Sequence, residues 1–273
     1  MNRKALTKYI MIGFRSLKSI MMRIWPLKVF RMNYDGPFQP LSDEDATDFR
    51  EIDDAIARLS KRRVEKIELE GPYLKSKIAW KIATFQQSVL YRVVMLARGA
   101  RLSWNARNIL ACFILVRQLV ETVALFDEFE RSLMERFEAK DAGGIDALVM
   151  NRTFATMDTE FIKDYPDAKA TNVLNFVDKL GKRYGLPIRD NYDSLSERVH
   201  PNSAGHHQMY STTDKSNGTV TFSETKNMRR SAAFIQAPLG LVILFERTMN
   251  ILDGAIPKIA DWHDEIHPSP LAR

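Results

Sequence analysis

Ile109-Leu-Ala-Cys-Phe-Ile-Leu-Val-Arg117-Gln-Leu-Val-Glu121-Thr-Val-Ala-Leu-Phe126 is the stretch on which the fold class turns. Apart from Arg117, Gln118, Glu121 and Thr122 it is apolar, and as a helix it is long enough to cross a bilayer. An arginine and a glutamate near its middle would be costly in hydrocarbon. In a protein interior the same two residues stand one helical turn apart and can pair, although the glutamate follows the arginine, which is the weaker order. The stretch therefore predicts the central helix of a soluble, all-α bundle, running from about Ser103 to about Lys140. Cys112, the single cysteine of the 273 residues, lies inside it. It excludes an internal disulfide and reads as a small buried hydrophobe in a reducing, cytoplasmic compartment.

Working outward, the helical pattern persists. Upstream, Gly71-Pro72 punctuates the chain, with Pro72 suited to the first turn of a helix through Trp80, Phe85, Leu90 and Val94 to about Arg98. Before that, Ser42 opens a helix to about Leu69, with Asp43, Glu44, Asp45 and Asp48 gathered where the helix dipole favours acids. Downstream, Asp141-Ala-Gly-Gly is expected to close the central helix, and shorter helices follow, the clearest at 173–184 and 187–200. Residues 208–213 and 219–223 carry the hydroxyl, aromatic and β-branched side chains of strands, and Asn217-Gly218 between them signals a hairpin. Helical periodicity returns at 226–253, kinked near Pro238, with Gly254 and Pro257 expected to end it. The expected architecture is an all-α bundle over 42–265, a small β-hairpin insertion near 208–223, a basic amphipathic helix at 1–34 and an irregular tail at 266–273.

Charge is concentrated at one end. The formal net charge is +6, yet residues 1–34 contain Arg3, Lys4, Lys8, Arg15, Lys18, Arg23, Lys28 and Arg31 and no acid, leaving 32 basic against 34 acidic residues for the rest. The basic signal thus belongs to one element and not to the body. Leu6, Ile10, Phe14, Leu17, Met21 and Ile24 recur at helical spacing within it. Three uses are open: docking on the acidic stretch 43–54, facing RNA, or lying on a membrane surface through residues 3–25.

Chemistry concentrates between Tyr192 and His207, where Tyr192-Asp-Ser-Leu-Ser196-Glu197-Arg198-Val-His200-Pro-Asn202-Ser-Ala-Gly-His206-His207 holds three of the five histidines. Tyr192, Ser196 and His200 stack along one side of a helix that Pro201 ends, with Asp193 and Glu197 on the adjacent stripe. A structural reading stands beside the functional one: Tyr192 and His200 as buried polar groups bonded to the central helix at Arg117 or Glu121. The adjacent His206 and His207 point apart, so the spacing argues against a metal site. Ser196 lacks a Gly-x-Ser-x-Gly elbow, and no glycine loop for phosphates is present.

Arg117-x-x-x-Glu121 followed by Tyr192-x-x-x-Ser196-x-x-x-His200-Pro201-Asn202 resembles uncharacterised bacterial families of HEPN-like helical proteins, over about residues 75–255. Many HEPN proteins are ribonucleases of toxin, antiphage or RNA-surveillance systems with an arginine–histidine site at a dimer interface. The resemblance implies a homodimer that acts on or binds RNA, as an effector or accessory component of a defence or stress module. It implies metal-independent cleavage without a cofactor, with His200 as general acid/base, Arg198 stabilising phosphate charge, and Tyr192 and Glu197 in the catalytic set. Arg117, Glu121, Ser196, Asn202, His206 and His207 would contact substrate. The chain departs from the usual spacing: seven residues separate Arg198 from His206, and Val199 follows Arg198. A noncatalytic helical interaction or scaffold protein is the alternative from another class, and a peripheral membrane protein is the third.

Overall fold

In the computed structural model the residues described are 36–40, 42–224 and 228–268. The expected basic helix at 1–34, with its RNA-facing and membrane-facing cations, lies outside them, as do residues 269–273 of the tail. The described chain is all-α with one two-stranded sheet. Helices are α1 Asp43–Lys61, α2 Pro72–Lys75, α3 Lys77–Asn105, α4 Ile109–Glu138, α5 Ala142–Phe154, α6 Thr159–Asp164, α7 Val173–Tyr184, α8 Ile188–Val199, α9 Met228–Leu239 and α10 Leu241–Ile266.

Helix α4 is the axis of the bundle. It packs against α3, α5, α7, α8, α9 and α10, and its buried residues include Phe113, Val116, Leu119, Val120, Val123, Phe126, Phe129 and Leu133. Phe126 sits 4.7 Å from Phe245 and 6.5 Å from Phe85, ring centre to ring centre, which ties α4 to α10 and α3. Neighbouring aromatic rings at such distances interlock through edge and face contacts as well as buried area. By length and composition α4 could cross a membrane; 56% of its most apolar window is buried against the other helices.

Several boundaries differ from those the pattern predicts, each for a local reason. Helix α1 stops at Lys61 and not near Leu69, because the departing backbone is held from outside: Gln87 on α3 accepts from Val64 N–H and donates to the Arg62 carbonyl. Ser76 interrupts the expected helix from Pro72 by accepting from Ala79 N–H at 3.2 Å, so that α2 is one turn and α3 starts afresh. Helix α3 continues past Ser103 to Asn105. Arg107 then turns the chain in the left-handed region (φ 58°), and the Asn108 side chain caps α4 through Ala111 N–H. Asp141 does not close α4 with its glycines; it opens α5, its carboxylate accepting from Gly144 N–H at 2.8 Å.

The last helix runs to Ile266, with Gly254 and Pro257 inside it. A proline in a helix interior removes a hydrogen bond and clashes with the preceding turn. Here Ala255, Ile256, Ile259, Ala260 and Trp262 are buried on the bundle, and packing outweighs that cost. The hairpin is shorter than the pattern suggests: β1 Ser211–Asp214 pairs antiparallel with β2 Thr219–Phe222, Ser211 opposite Phe222. Residues 208–210 belong to a helical turn, and Gly218 takes the left-handed φ of 61° that the turn needs.

Candidate functional site

Helix α8 carries Tyr192, Ser196, Glu197 and Arg198, and its two sides have different surroundings. Ile188, Tyr192 and Leu195 recur at helical spacing and are buried against α4. At the end of that stripe the Tyr192 hydroxyl accepts from Arg117 Nη2 at 2.7 Å and donates to Glu121 Oε1 at 2.8 Å. Arg117 and Glu121 approach to 3.5 Å, and Gln118 donates to the other Glu121 oxygen at 3.1 Å. The guanidinium also lies over the Tyr192 ring, 5.1 Å from its centre. Burial pushes the phenol of Tyr192 above its ordinary range; the hydrogen bond to Glu121 reinforces the shift and the one from Arg117 opposes it. Tyr192, Arg117 and Glu121 therefore form a hydrogen-bonded polar triad between two helices, with Tyr192 neutral and Arg117 Nε buried without a hydrogen bond. Ser196, one turn on, is directed inward, its hydroxyl buried and without a hydrogen bond.

On the other side of α8 a cavity of about 570 Å³ opens between the helix, the segment that follows it and α9. Glu197, Arg198, His207, Ser211, Ser231 and Phe234 line it. Pro201 ends α8, and residues Ser203–His207 form a π-helical turn before the hairpin. Asn202 organises that turn. Its side-chain oxygen accepts from Gly205 N–H at 3.0 Å while its amide donates to Glu197 Oε2 at 2.7 Å. Gly205 is required by close approach, since a Cβ there would lie 2.0 Å from the His200 carbonyl oxygen. The turn brings His207 over the cavity, its Nδ1 2.8 Å from the Ser211 hydroxyl.

Arg198 is the principal cation of the cavity. Its guanidinium stacks on Phe234 at 4.0 Å, reaches towards Phe113 at 5.9 Å and donates from Nη1 to the Ser194 carbonyl at 2.7 Å. Burial holds its pKa below the ordinary arginine value; guanidinium nevertheless stays charged, and partial desolvation strengthens its pull on an anion.

The structure thus separates the ten residues singled out in the sequence. Arg198, Glu197 and His207 meet in the cavity, and Asn202 braces it through Glu197. Tyr192, Arg117 and Glu121 form the triad across the helix from it, and the Ser196 hydroxyl is buried one turn beyond Tyr192. His200 and His206 are exposed and do not line the cavity. The structural reading for Tyr192 matches its bonds to Arg117 and Glu121. His200 does not fit that reading, because it caps α8 with its ring in solvent.

A second polar system lies outside the residues singled out in the sequence. Asp127, Glu128 and Glu130 are buried on α4 and face α7. Arg183 pairs with Asp127 at 3.0 Å and with Glu130 at 3.3 Å, Tyr184 donates to Asp127 at 2.8 Å, and Arg131 and Lys179 hold Glu128. The available clue was Asp127-Glu128-x-Glu130 continuing an otherwise apolar helix, where buried acids require cations from a neighbour. Among the described residues no group of three or more histidines, cysteines or carboxylates is arranged to hold a metal ion. No family model, no curated protein and no solved structure matches the chain.

Proposed function

We propose that the Arg198 cavity is a phosphodiester site through which this protein binds or cleaves RNA. The observation that supports this most directly is the meeting of Arg198 and His207, nine positions apart in sequence, in one cavity with Glu197 and Ser211. A guanidinium on an aromatic face offers N–H donors in the fork that suits phosphate oxygens. His207, with Nδ1 against Ser211, keeps Nε2 for proton exchange. In a cleavage reaction Glu197 would take the 2′-hydroxyl proton as O2′ attacks phosphorus, and His207 would deliver a proton to the departing O5′, giving a cyclic phosphate and a 5′-hydroxyl. This reading moves the histidine role from His200 to His207 and keeps Arg198.

The test is incubation of full-length protein with labelled single-stranded and structured RNAs in EDTA, beside Arg198→Ala, His207→Ala and His200→Ala. Binding or cleavage lost in the first two and kept in the third is the expected result. Wild-type protein that neither binds nor cleaves any of the RNAs, or Arg198→Ala and His207→Ala behaving as wild type, would overturn the reading. A noncatalytic interaction protein is the second reading. It is favoured by the commitment of Tyr192, Arg117 and Glu121 to bonds between α4 and α8.

A further inference from the structure

Further along the helices that line the Arg198 cavity, a second cavity of about 370 Å³ lies where α9 meets α10. Its origin is the Pro238-Leu-Gly240 junction. Proline lacks an N–H, and Gly240, at the start of α10, offers no side-chain cap. The backbone bonds that span the break are Gly240 N–H to Gln236 O and Ile243 N–H to Gly240 O. The helix opens there against the loop between α7 and α8, and the space is walled by Val120, Leu186, Ile188, Leu241 and Leu244. Its volume falls within the ~300–1,000 Å³ of small-molecule sites.

Such walls cannot satisfy a polar group, so a ligand's polar end must sit at the mouth. One cation stands there: Arg247, exposed and one turn beyond Leu244 on the same face of α10. Arg247 lies close enough to Tyr184 for its charge to oppose the upward shift of that phenol, and the Asp127 carboxylate bonded to Tyr184 is already paired with Arg183. Arg247 itself forms no ion pair with a described residue. Asn191 on α8 adds an amide at the same mouth. We infer that this cavity binds a medium-chain monocarboxylate, the alkyl chain between Val120, Ile188 and Leu244 and the carboxylate on the Arg247 guanidinium. Charge complementarity selects an acid over an alcohol or an amine, and the apolar depth selects a chain over a small organic acid. The assignment does not depend on the RNA reading of the other cavity.

Titration calorimetry of full-length protein with decanoate, below its micelle concentration, tests it. Saturable binding to wild type is expected, weakened about tenfold or more in Arg247→Gln, as loss of a charge-assisted pair requires. Decanol should bind wild type and Arg247→Gln alike. Ala237→Phe, at an exposed helical position lining the cavity, should abolish binding of both at unchanged Tm. No binding of decanoate to wild type, equal binding to Arg247→Gln, or binding that survives Ala237→Phe would overturn the inference. Should Ala237→Phe fail to fold, nuclear Overhauser contacts from the decanoate chain to Val120, Ile188 and Leu244 methyls decide it on wild type. Their absence in a saturated complex would count against the site.

Discussion

Tyr192 and His200 differ by two helical turns in sequence and by everything in environment. Tyr192 is buried and gives its one hydroxyl to two charged partners on α4; His200 is in solvent. Tyr192→Phe keeps the ring and strips the hydroxyl, leaving Arg117 and Glu121 each short of a bond in a partly buried setting. A cost of about 1–3 kcal/mol is expected, the penalty for unmade bonds of this kind. His200→Ala should stay within about 0.5 kcal/mol of wild type, as exposed substitutions do. Urea unfolding of the two variants checks both. A Tyr192→Phe midpoint equal to that of wild type would remove the triad as a stabilising link. Arg198 belongs to neither case: it is packed on Phe234, so its replacement tests ligand binding and packing together, and a melting curve must accompany any activity measurement.

Between elements, the seam of α4 and α7 gathers buried carboxylates and the cations that hold them. Its pH response follows from Tyr184, whose phenol is pushed up to about 12 by burial, then by its hydrogen bond to Asp127, with the Asp127 charge adding to the same effect. The unfolded chain releases this proton near the ordinary value of 10.0, so between there and about pH 12 the folded state binds more protons than the unfolded one. Stability therefore falls as pH rises through that window, and the contribution is fully present below it. Tyr184→Phe should flatten this part of the stability profile relative to wild type, read as the difference between the two in denaturant unfolding across the alkaline range. Equal slopes would show that Asp127 does not hold the phenol neutral. Along the same helix, Glu128 behaves oppositely: burial would raise it, yet the bonds from Arg131 and Lys179 together hold it below the usual carboxylate range. Its contribution is present at neutral pH and is lost as acid protonates it.

For the whole molecule, the central position of α4 makes Cys112 a reporter of global opening. Its side chain is fully buried, and burial pushes the thiol well above its ordinary value. Thiolate is the reactive form, so the native protein should resist a disulfide reagent, and labelling should proceed only through unfolding. The labelling rate across a urea series is expected to track the unfolding equilibrium. Fast labelling of Cys112 in native buffer would mean that α4 is exposed by a smaller opening. The same burial explains how a helix with a membrane-like composition serves as a core: its polar interruptions, Arg117 and Glu121, are met by Tyr192, and Asp127, Glu128 and Glu130 by α7.

Periodicity and turn chemistry alone determined the helical class, the place of α4 at the centre and the hairpin around Asn217-Gly218, and they singled out the segment from Tyr192 to His207 by its residue types. These are local properties, written in spacings of three and four residues and in the backbone freedom of glycine and asparagine. Helix ends were less legible. Ser76, Asn108 and Asp141 are capping residues whose role depends on which side of them the chain is already helical, and Pro257 is tolerated because the residues around it are buried against the rest of the bundle. Only the tertiary structure decided that α8 has two distinct sides, one bonding Arg117 and Glu121 through Tyr192, the other placing Arg198 and His207 on a cavity. That division rests on Tyr192 meeting Arg117 and Glu121 of α4 and on Phe234 arriving from α9 against Arg198. Contacts between segments so distant in sequence are set by the packing of whole helices, and no spacing within one segment encodes them.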